Sequence, residues 1–237
     1  MTHRYFVEER LDASRVTLEG TEAHHLLHVM RAQAGDEITL FDGSGREAVA
    51  CVERTARSSV EIAVQQIEHV NRELPVEITI GVALPKGDRQ KWLVEKAVEV
   101  GVASLVPLTT ARSVAQPTGK AIQRLRRQVI EASKQCGRNR LMSISEPQAF
   151  HEWIAQETSG RAFILHPGGT SLAACCDGGH ARGQWLACIG PEGGFTSEEI
   201  DAASAAQWLV AHLGERILRI ETAAIATAVV LSAFASS

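Results

Sequence analysis

No apolar run in the chain approaches the roughly 18 residues that a membrane-spanning helix needs. Its start, Met1-Thr2-His3-Arg4-Tyr5-Phe6, lacks the basic-then-apolar plan of a secretion signal. A soluble, cytoplasmic protein is therefore expected. A bound metal is not expected: the cysteines, Cys51, Cys136, Cys175, Cys176 and Cys188, include no Cys-x-x-Cys pair, and no histidine spacing typical of zinc accompanies them. Reduced thiols, small and mostly buried, are the simplest reading, adjacent Cys175 and Cys176 included. Neither a Gly-x-Gly-x-x-Gly after the first strand of the α/β part nor a Walker A sequence occurs. Nicotinamide, flavin and nucleoside triphosphate chemistry thereby lose their main support. Internal repeats and low-complexity segments are also missing.

What the chain does have is length and apolar content: 237 residues, 45% of them hydrophobic, can build one large domain or two small ones around real cores. Charge is unevenly spread. The net charge is −4, yet the stretch from Lys86 to Arg140 holds 12 basic and 4 acidic residues, and the remainder holds 12 and 24. A basic middle in an acidic chain fits either a patch that meets an anion or a solvated helix face.

The first seventy residues read as short strands and turns. Strands are expected at Arg15–Leu18, Glu37–Phe41, Glu47–Val52 and Ser59–Gln65, with a turn at Asp42-Gly43-Ser44-Gly45 and one helix over Ala23–Arg31. Val60, Ile62 and Val64 alternate with polar residues, the period of a half-buried strand. The polar segment before Pro75 marks a boundary, giving a small β-rich domain over residues 1–71 and a second over 72–237.

Beyond the boundary strand and helix alternate: a strand Val76–Leu84, a helix Asp88–Val100 ending at Gly101, a strand Ser104–Leu108 and a helix Pro117–Cys136. A helix over Gln148–Glu157, strands at Arg161–Leu165 and Trp185–Ile189, a helix from Thr196, a strand Trp208–Leu213 and a helix Thr222–Phe234 complete the series. Thr196 and Glu199 have capping-box spacing. Such alternation predicts an α/β domain, a parallel sheet with helices on both faces. The last helix is apolar on nearly every side, so it is either deeply buried or covered by a second copy in a homodimer.

Three segments follow strand ends: Leu165-His166-Pro167-Gly168-Gly169, Gly190-Pro191-Glu192-Gly193-Gly194-Phe195, and Leu213 to Ile220. Singly, each could be only a tight connection. Three at one sheet edge point to a ligand site, because open α/β sheets bind ligands beyond the carboxyl ends of their strands.

Those motifs carry a resemblance. Gly190 to Phe195 with Glu198 or Glu199 after it, Leu213-Gly214 through Arg219, Glu221-Thr222-Ala223 and the Glu131–Arg138 stretch are similar to the ribosomal RNA small subunit methyltransferase E family. Arg4, Phe6, the His24–Arg31 segment and the Asp42-Gly43 turn extend the likeness over essentially the whole chain. It implies a SPOUT-superfamily fold with a deep trefoil knot, an N-terminal PUA-like barrel, a homodimer, and transfer of a methyl group from S-adenosylmethionine to N3 of a uridine in the 16S rRNA of the small ribosomal subunit. Carried over, Leu165, His166, Gly190, Glu192, Gly193, Gly194, Leu213, Gly214, Ile217, Leu218 and Thr222 would line the cofactor. One departure is Gln135-Cys136-Gly137-Arg138, where the family has Gln-Ser-x-Arg; a proline common shortly afterwards is missing as well.

Uridine N3 carries a proton at neutral pH, so its methylation requires help in removing that proton or in stabilising the imide anion. A permanently cationic, planar guanidinium suits the second task, which makes Arg138 and Arg219 candidates. Glu192 could act as the base only if burial raised its pKa; otherwise it supports the loop. His166 has the same two readings, and covalent catalysis by Cys136 is not needed for a nitrogen acceptor. RNA contacts are expected from Lys86, Arg89, Lys91, Arg112, Arg124, Arg126 and Arg127, with His25 and Arg31 from the barrel. A methyltransferase for another RNA or a small molecule, and a noncatalytic RNA-binding protein, are the rival readings.

Overall fold

The computed structural model describes residues 3–114, 118–156, 158, 160–177 and 183–235. They form two compact units. One contains the chain up to Arg72 together with Ser133–Leu141, and the other contains Glu73–Ala132 and the chain from Met142 on.

The first unit is a curled sheet of five strands: β1 (Arg4–Phe6), β2 (Arg15–Leu18), β3 (Glu37–Phe41), β4 (Arg46–Thr55) and β5 (Val60–His69), ordered β1-β3-β4-β5-β2. β1 runs parallel to β3 and the other neighbours are antiparallel. Val60 and Ile62 turn into a core with Tyr5, Leu11, Leu26, Ile38, Leu40 and Val52, while Glu61 faces water, as the period-two pattern requires. At the Asp42–Gly45 turn, Asp42 Oδ1 accepts the backbone N–H of Ser44 at 2.9 Å, and Gly43 and Gly45 adopt φ of 78° and 101°.

Two local features differ from the sequence reading. The helix expected over Ala23–Arg31 begins earlier, as α1 (Gly20–His24), and widens into a π-turn over His25–Val29 that ends before Arg31, whose φ is 55°. The second is the return of Ser133–Leu141 to this unit, for which a boundary at one chain position has no place. The Asn139 amide donates to the carbonyl oxygens of Gly45 at 3.2 Å and Val70 at 2.9 Å, and Lys134 Nζ donates to Glu22 Oε1 at 2.8 Å. Glu47 is the hub beside it, accepting from Arg4 at 3.0 Å and from both terminal nitrogens of Arg72 at 2.8 and 2.9 Å. Burial pushes the Glu47 carboxyl up, but the bonds from Arg72 and Arg4 outweigh it and leave the group below its ordinary value.

In the second unit the strands are β6 (Glu77–Val82), β7 (Ser104–Thr109), β8 (Ser143–Ile144), β9 (Gln148–Ala149), β10 (Arg161–Ser171), β11 (Gln184–Ile189) and β12 (Leu209–His212). They pair in parallel in the order β12-β10-β11-β6-β7-β8, with β9 also on β7. The helices are α2 (Arg89–Val100), α3 (Gly119–Cys136), α4 (Phe150–Ile154), α5 (Leu172–Cys176), α6 (Ser197–Ala205) and α7 (Ile220–Ala235). Trp185 to Ile189 are buried without a break, the mark of a parallel strand covered on both faces. Gly81, inside β6, leaves room for the Trp153 indole: a Cβ there would lie 2.5 Å from its ring.

α7 packs against α2, β6 and β11, burying Ala224, Ala228 and Leu231. The helix expected over Gln148–Glu157 is shorter, because Gln148 and Ala149 pair with β7 before α4 starts; Glu157 lies outside the described residues. Pro117, expected to open α3, lies outside them too. The largest difference concerns Leu165–Gly169. Rather than leaving the sheet, the chain stays on β12: Leu165 and Thr170 both register with Ala211, so the four residues between them bulge out of the ladder. Among the described residues the five cysteines are free and no metal-holding group of side chains occurs; burial pushes the Cys176 thiol up to about 11. No helix among the described residues is long and apolar enough to cross a membrane.

Candidate active site

The β10 bulge, the turn after β11 and the segment after β12 wall one cavity of about 160 Å³ in the second unit, many times the roughly 10–15 Å³ that one water needs. Of the residues expected to hold a cofactor, Leu165, His166, Gly190, Glu192, Gly194, Leu213, Gly214, Ile217 and Leu218 line it. Gly193 and Thr222 do not. The wall also takes in Ile189 and His212, outside the three segments singled out in the sequence, and Phe195, Arg216 and Ile220, inside them but not among the residues expected to line the cofactor.

Local chemistry shapes each wall. In the β10 bulge, His166 Nδ1 accepts the backbone N–H of Gly168 at 3.1 Å, and Gly169 lies so close to β12 that a Cβ would sit 2.4 Å from the Val210 carbonyl oxygen. After β12 the same device recurs: His212 Nδ1 accepts the N–H of Gly214 at 2.9 Å, and Gly214 has a φ of 106°. The repeated His-x-Gly was a readable signal for His212. In the turn after β11, a Cβ on Gly190 would come 3.0 Å from the Phe195 ring, and Gly194 has a φ of 67°. α6 then starts with a full capping box: Thr196 Oγ1 accepts from Glu199 N at 3.2 Å, and Glu199 Oε2 accepts from Thr196 N at 2.9 Å.

Charged groups sit around this frame. Glu192 is half exposed, at 50%, with the Arg89 guanidinium 3.4 Å away, so the burial that a base of this kind would need is absent. Arg89 also reaches Glu221, a buried carboxylate in the first turn of α7, at 3.6 Å. Arg112 donates to the carbonyl oxygen of Gly193 at 2.7 Å, and Arg126 to that of Ile144 at 2.7 Å. Three of the cations expected at RNA thus have partners within the protein, although Arg112 and Arg126 stay exposed. Lys86, Lys91, Arg124, Arg127 and Arg31 are exposed. His25 turns inward: its ring lies 5.9 Å from Tyr5 and its Nδ1 is buried without a hydrogen-bond partner. Arg138 is buried in the first unit, Arg219 is exposed just before α7, and neither lines the cavity.

Residues 72–232 match the model of an RNA methyltransferase domain, and residues 18–65 match an RNA methyltransferase PUA domain. Fold and site together define an RNA methyltransferase carrying a PUA domain. The chain is 30% identical to the ribosomal RNA small subunit methyltransferase E of Synechocystis over 94% of its own length and 75% of that protein's. To the protein of the same name from Bacillus subtilis it is 29% identical, covering 93% and 92%. It belongs to the ribosomal RNA small subunit methyltransferase E family.

Solved structures agree. A Neisseria gonorrhoeae ribosomal RNA small subunit methyltransferase E bound to S-adenosyl methionine matches with a TM-score of 0.88 at 29% identity, covering 96% of this chain and 95% of that one. A Legionella pneumophila protein in complex with the bound cofactor SAM matches with a TM-score of 0.91 at 31% identity, covering 98% of both.

Proposed function

We infer that the protein transfers a methyl group from S-adenosylmethionine to N3 of a uridine in 16S rRNA. The observation that carries this reading is the cavity between three strand-end segments, in a chain of this family. Its residues suit the cofactor. Leu165, Ile189, Leu213 and Leu218 offer apolar walls, and the carboxylate of Glu192 and guanidinium of Arg216 complement an ammonium and a carboxylate.

When bound, S-adenosylmethionine supplies a methyl group already activated by its sulfonium. What remains for the protein is to align the uridine, exclude water and favour the deprotonated N3. Arg219, exposed between the wall residues Leu218 and Ile220, is assigned to the imide charge, while Arg216 is kept for the cofactor's carboxylate and Arg138, buried in the first unit, takes no part in the cavity. Glu192 and His166 shape the wall rather than exchange protons: the first is half exposed, and the second spends Nδ1 on Gly168.

Phosphates are met by exposed Lys86, Lys91, Arg124, Arg127 and Arg31, which set register and not sequence. The reading includes a homodimer, for which Trp92 on α2 and Val229 on α7, 43% and 50% exposed on helices that pack together, offer an apolar face. It includes the trefoil knot that membership of this family implies. It also places the protein in the cytoplasm, with the small ribosomal subunit.

The test is to incubate small subunits from a strain lacking the gene with the protein and labelled S-adenosylmethionine, and to map the methyl group by mass spectrometry. One N3-methyluridine in 16S rRNA is expected; a methyl group on another base, or none, overturns the reading.

A further inference from the structure

The turn after β7 and the glycine turn after β11 are joined from both sides. From one side, Arg112 Nη1 donates to the carbonyl oxygen of Gly193 at 2.7 Å and reaches that of Phe195 at 3.5 Å. Gly193 accommodates the arginine: a Cβ there would lie 3.3 Å from Arg112 Cδ. From the other side, Glu199, only 2% exposed, accepts the backbone N–H of Ala111 on Oε1 at 2.8 Å while its Oε2 caps α6 through Thr196 N. The β7 turn is itself stiff, because Thr110 N donates to Ser113 Oγ at 2.9 Å and Ser113 N to Thr110 O at 3.2 Å.

We propose that Arg112 is a positioning residue for the cofactor and not a contact to RNA: it holds the Gly193–Phe195 backbone in the shape that walls the cavity. The assignment rests on the cofactor reading above. Its physical basis is that a rigid, planar guanidinium fixes the direction of the Nη1 donors, which face the carbonyl oxygens of Gly193 and Phe195. Lysine at the same place keeps the charge but presents a single ammonium on a flexible stem. Glu199 fixes the same turn to α6, so the loss of Arg112 loosens the turn and leaves the fold in place.

The variants Arg112→Lys and Arg112→Ala separate the two roles. For a positioning residue, both weaken S-adenosylmethionine in calorimetry by roughly tenfold and raise its KM with kcat little changed. Thermal unfolding stays near that of the wild type, and the salt dependence of 16S rRNA binding is unaltered. For a phosphate contact, both variants bind S-adenosylmethionine as the wild type does, and the slope of log affinity against log salt falls by about one for Arg112→Ala but not for Arg112→Lys; that result overturns the assignment. No calorimetric heat with the wild type would overturn the cofactor reading and this assignment with it. Should Arg112→Ala fail to fold, Arg112→Lys alone still decides, because the two roles predict opposite outcomes for it.

Discussion

His166 and His212, on neighbouring strands, close the same kind of turn: each accepts on Nδ1 the backbone N–H of the glycine two residues later, at 3.1 and 2.9 Å. Both line the cavity. Asparagine carries its Oδ1 one bond beyond Cγ, as histidine carries Nδ1, and closes the same local turn. His212→Asn is therefore expected to keep S-adenosylmethionine affinity within about threefold, whereas His212→Ala leaves Gly214 N–H without its acceptor and costs about tenfold, roughly the worth of one hydrogen bond. Calorimetry on the two variants checks this, and equal losses for Asn and Ala would count against a turn-closing role.

Gly169 is set by backbone contact. With a Cβ only 2.4 Å from the Val210 carbonyl oxygen, Gly169→Ala cannot be accommodated by a side-chain shift and must move β10 away from β12. The expected cost is about 2 kcal/mol or more, read as a lowered denaturant midpoint. Gly214→Ala meets nothing within 4 Å and costs through its positive φ alone, about 1 kcal/mol.

How much of this was legible depends on the range of the signal. The capping box at Thr196 and Glu199, the Gly101 stop after α2 and the alternation of Val60 and Ile62 are local rules, and the structure follows them. Proline and glycines normally end a strand, so the sequence predicts a loop at His166–Gly169; only pairing with β12, decided some forty residues later, keeps the segment in the sheet. Arg89, Arg112 and Arg126 are expected at RNA because charge is visible in a sequence, whereas the partners they also have within the fold are not. Glu192, Gly193 and Ile144 supply those partners. His25 is expected at RNA for the same reason, since nothing in its sequence neighbours announces the Tyr5 ring.

Glu47 predicts an acid dependence. Because its folded pKa is held below the ordinary value, its contribution to stability is present at neutral pH and is lost as pH falls below about 4.5 through the folded value. Glu47→Gln should lower stability at pH 7 by about 1–3 kcal/mol for the unsatisfied guanidinium partners, read as a lower urea midpoint, and flatten the decline on the acid side. An undiminished decline in the variant would show that other carboxylates, Asp42 among them, dominate the acid limb.

Tyr5 predicts the opposite limb. Burial, reinforced by repulsion from Glu22, pushes its phenol from 10.0 up to about 12. The folded state thus keeps the proton where the unfolded chain releases it, so stability is intact below pH 10 and falls as pH rises from about 10 to 12. The Tyr5 hydroxyl is also buried with no hydrogen-bond partner. Removing it therefore costs no bond, and Tyr5→Phe should match or exceed wild-type stability at pH 7 and lose part of the alkaline decline. Lys134, whose ammonium lies 5.9 Å from the Tyr5 ring and 2.8 Å from Glu22 Oε1, provides the control. Lys134→Met removes the cation that balances Glu22, leaves that carboxylate buried against the phenol, and should lower stability already at pH 7. Urea midpoints of the three proteins at pH 7 and near pH 11 decide between a phenol that titrates against the fold and one that does not, for which the wild type and Tyr5→Phe would decline in parallel.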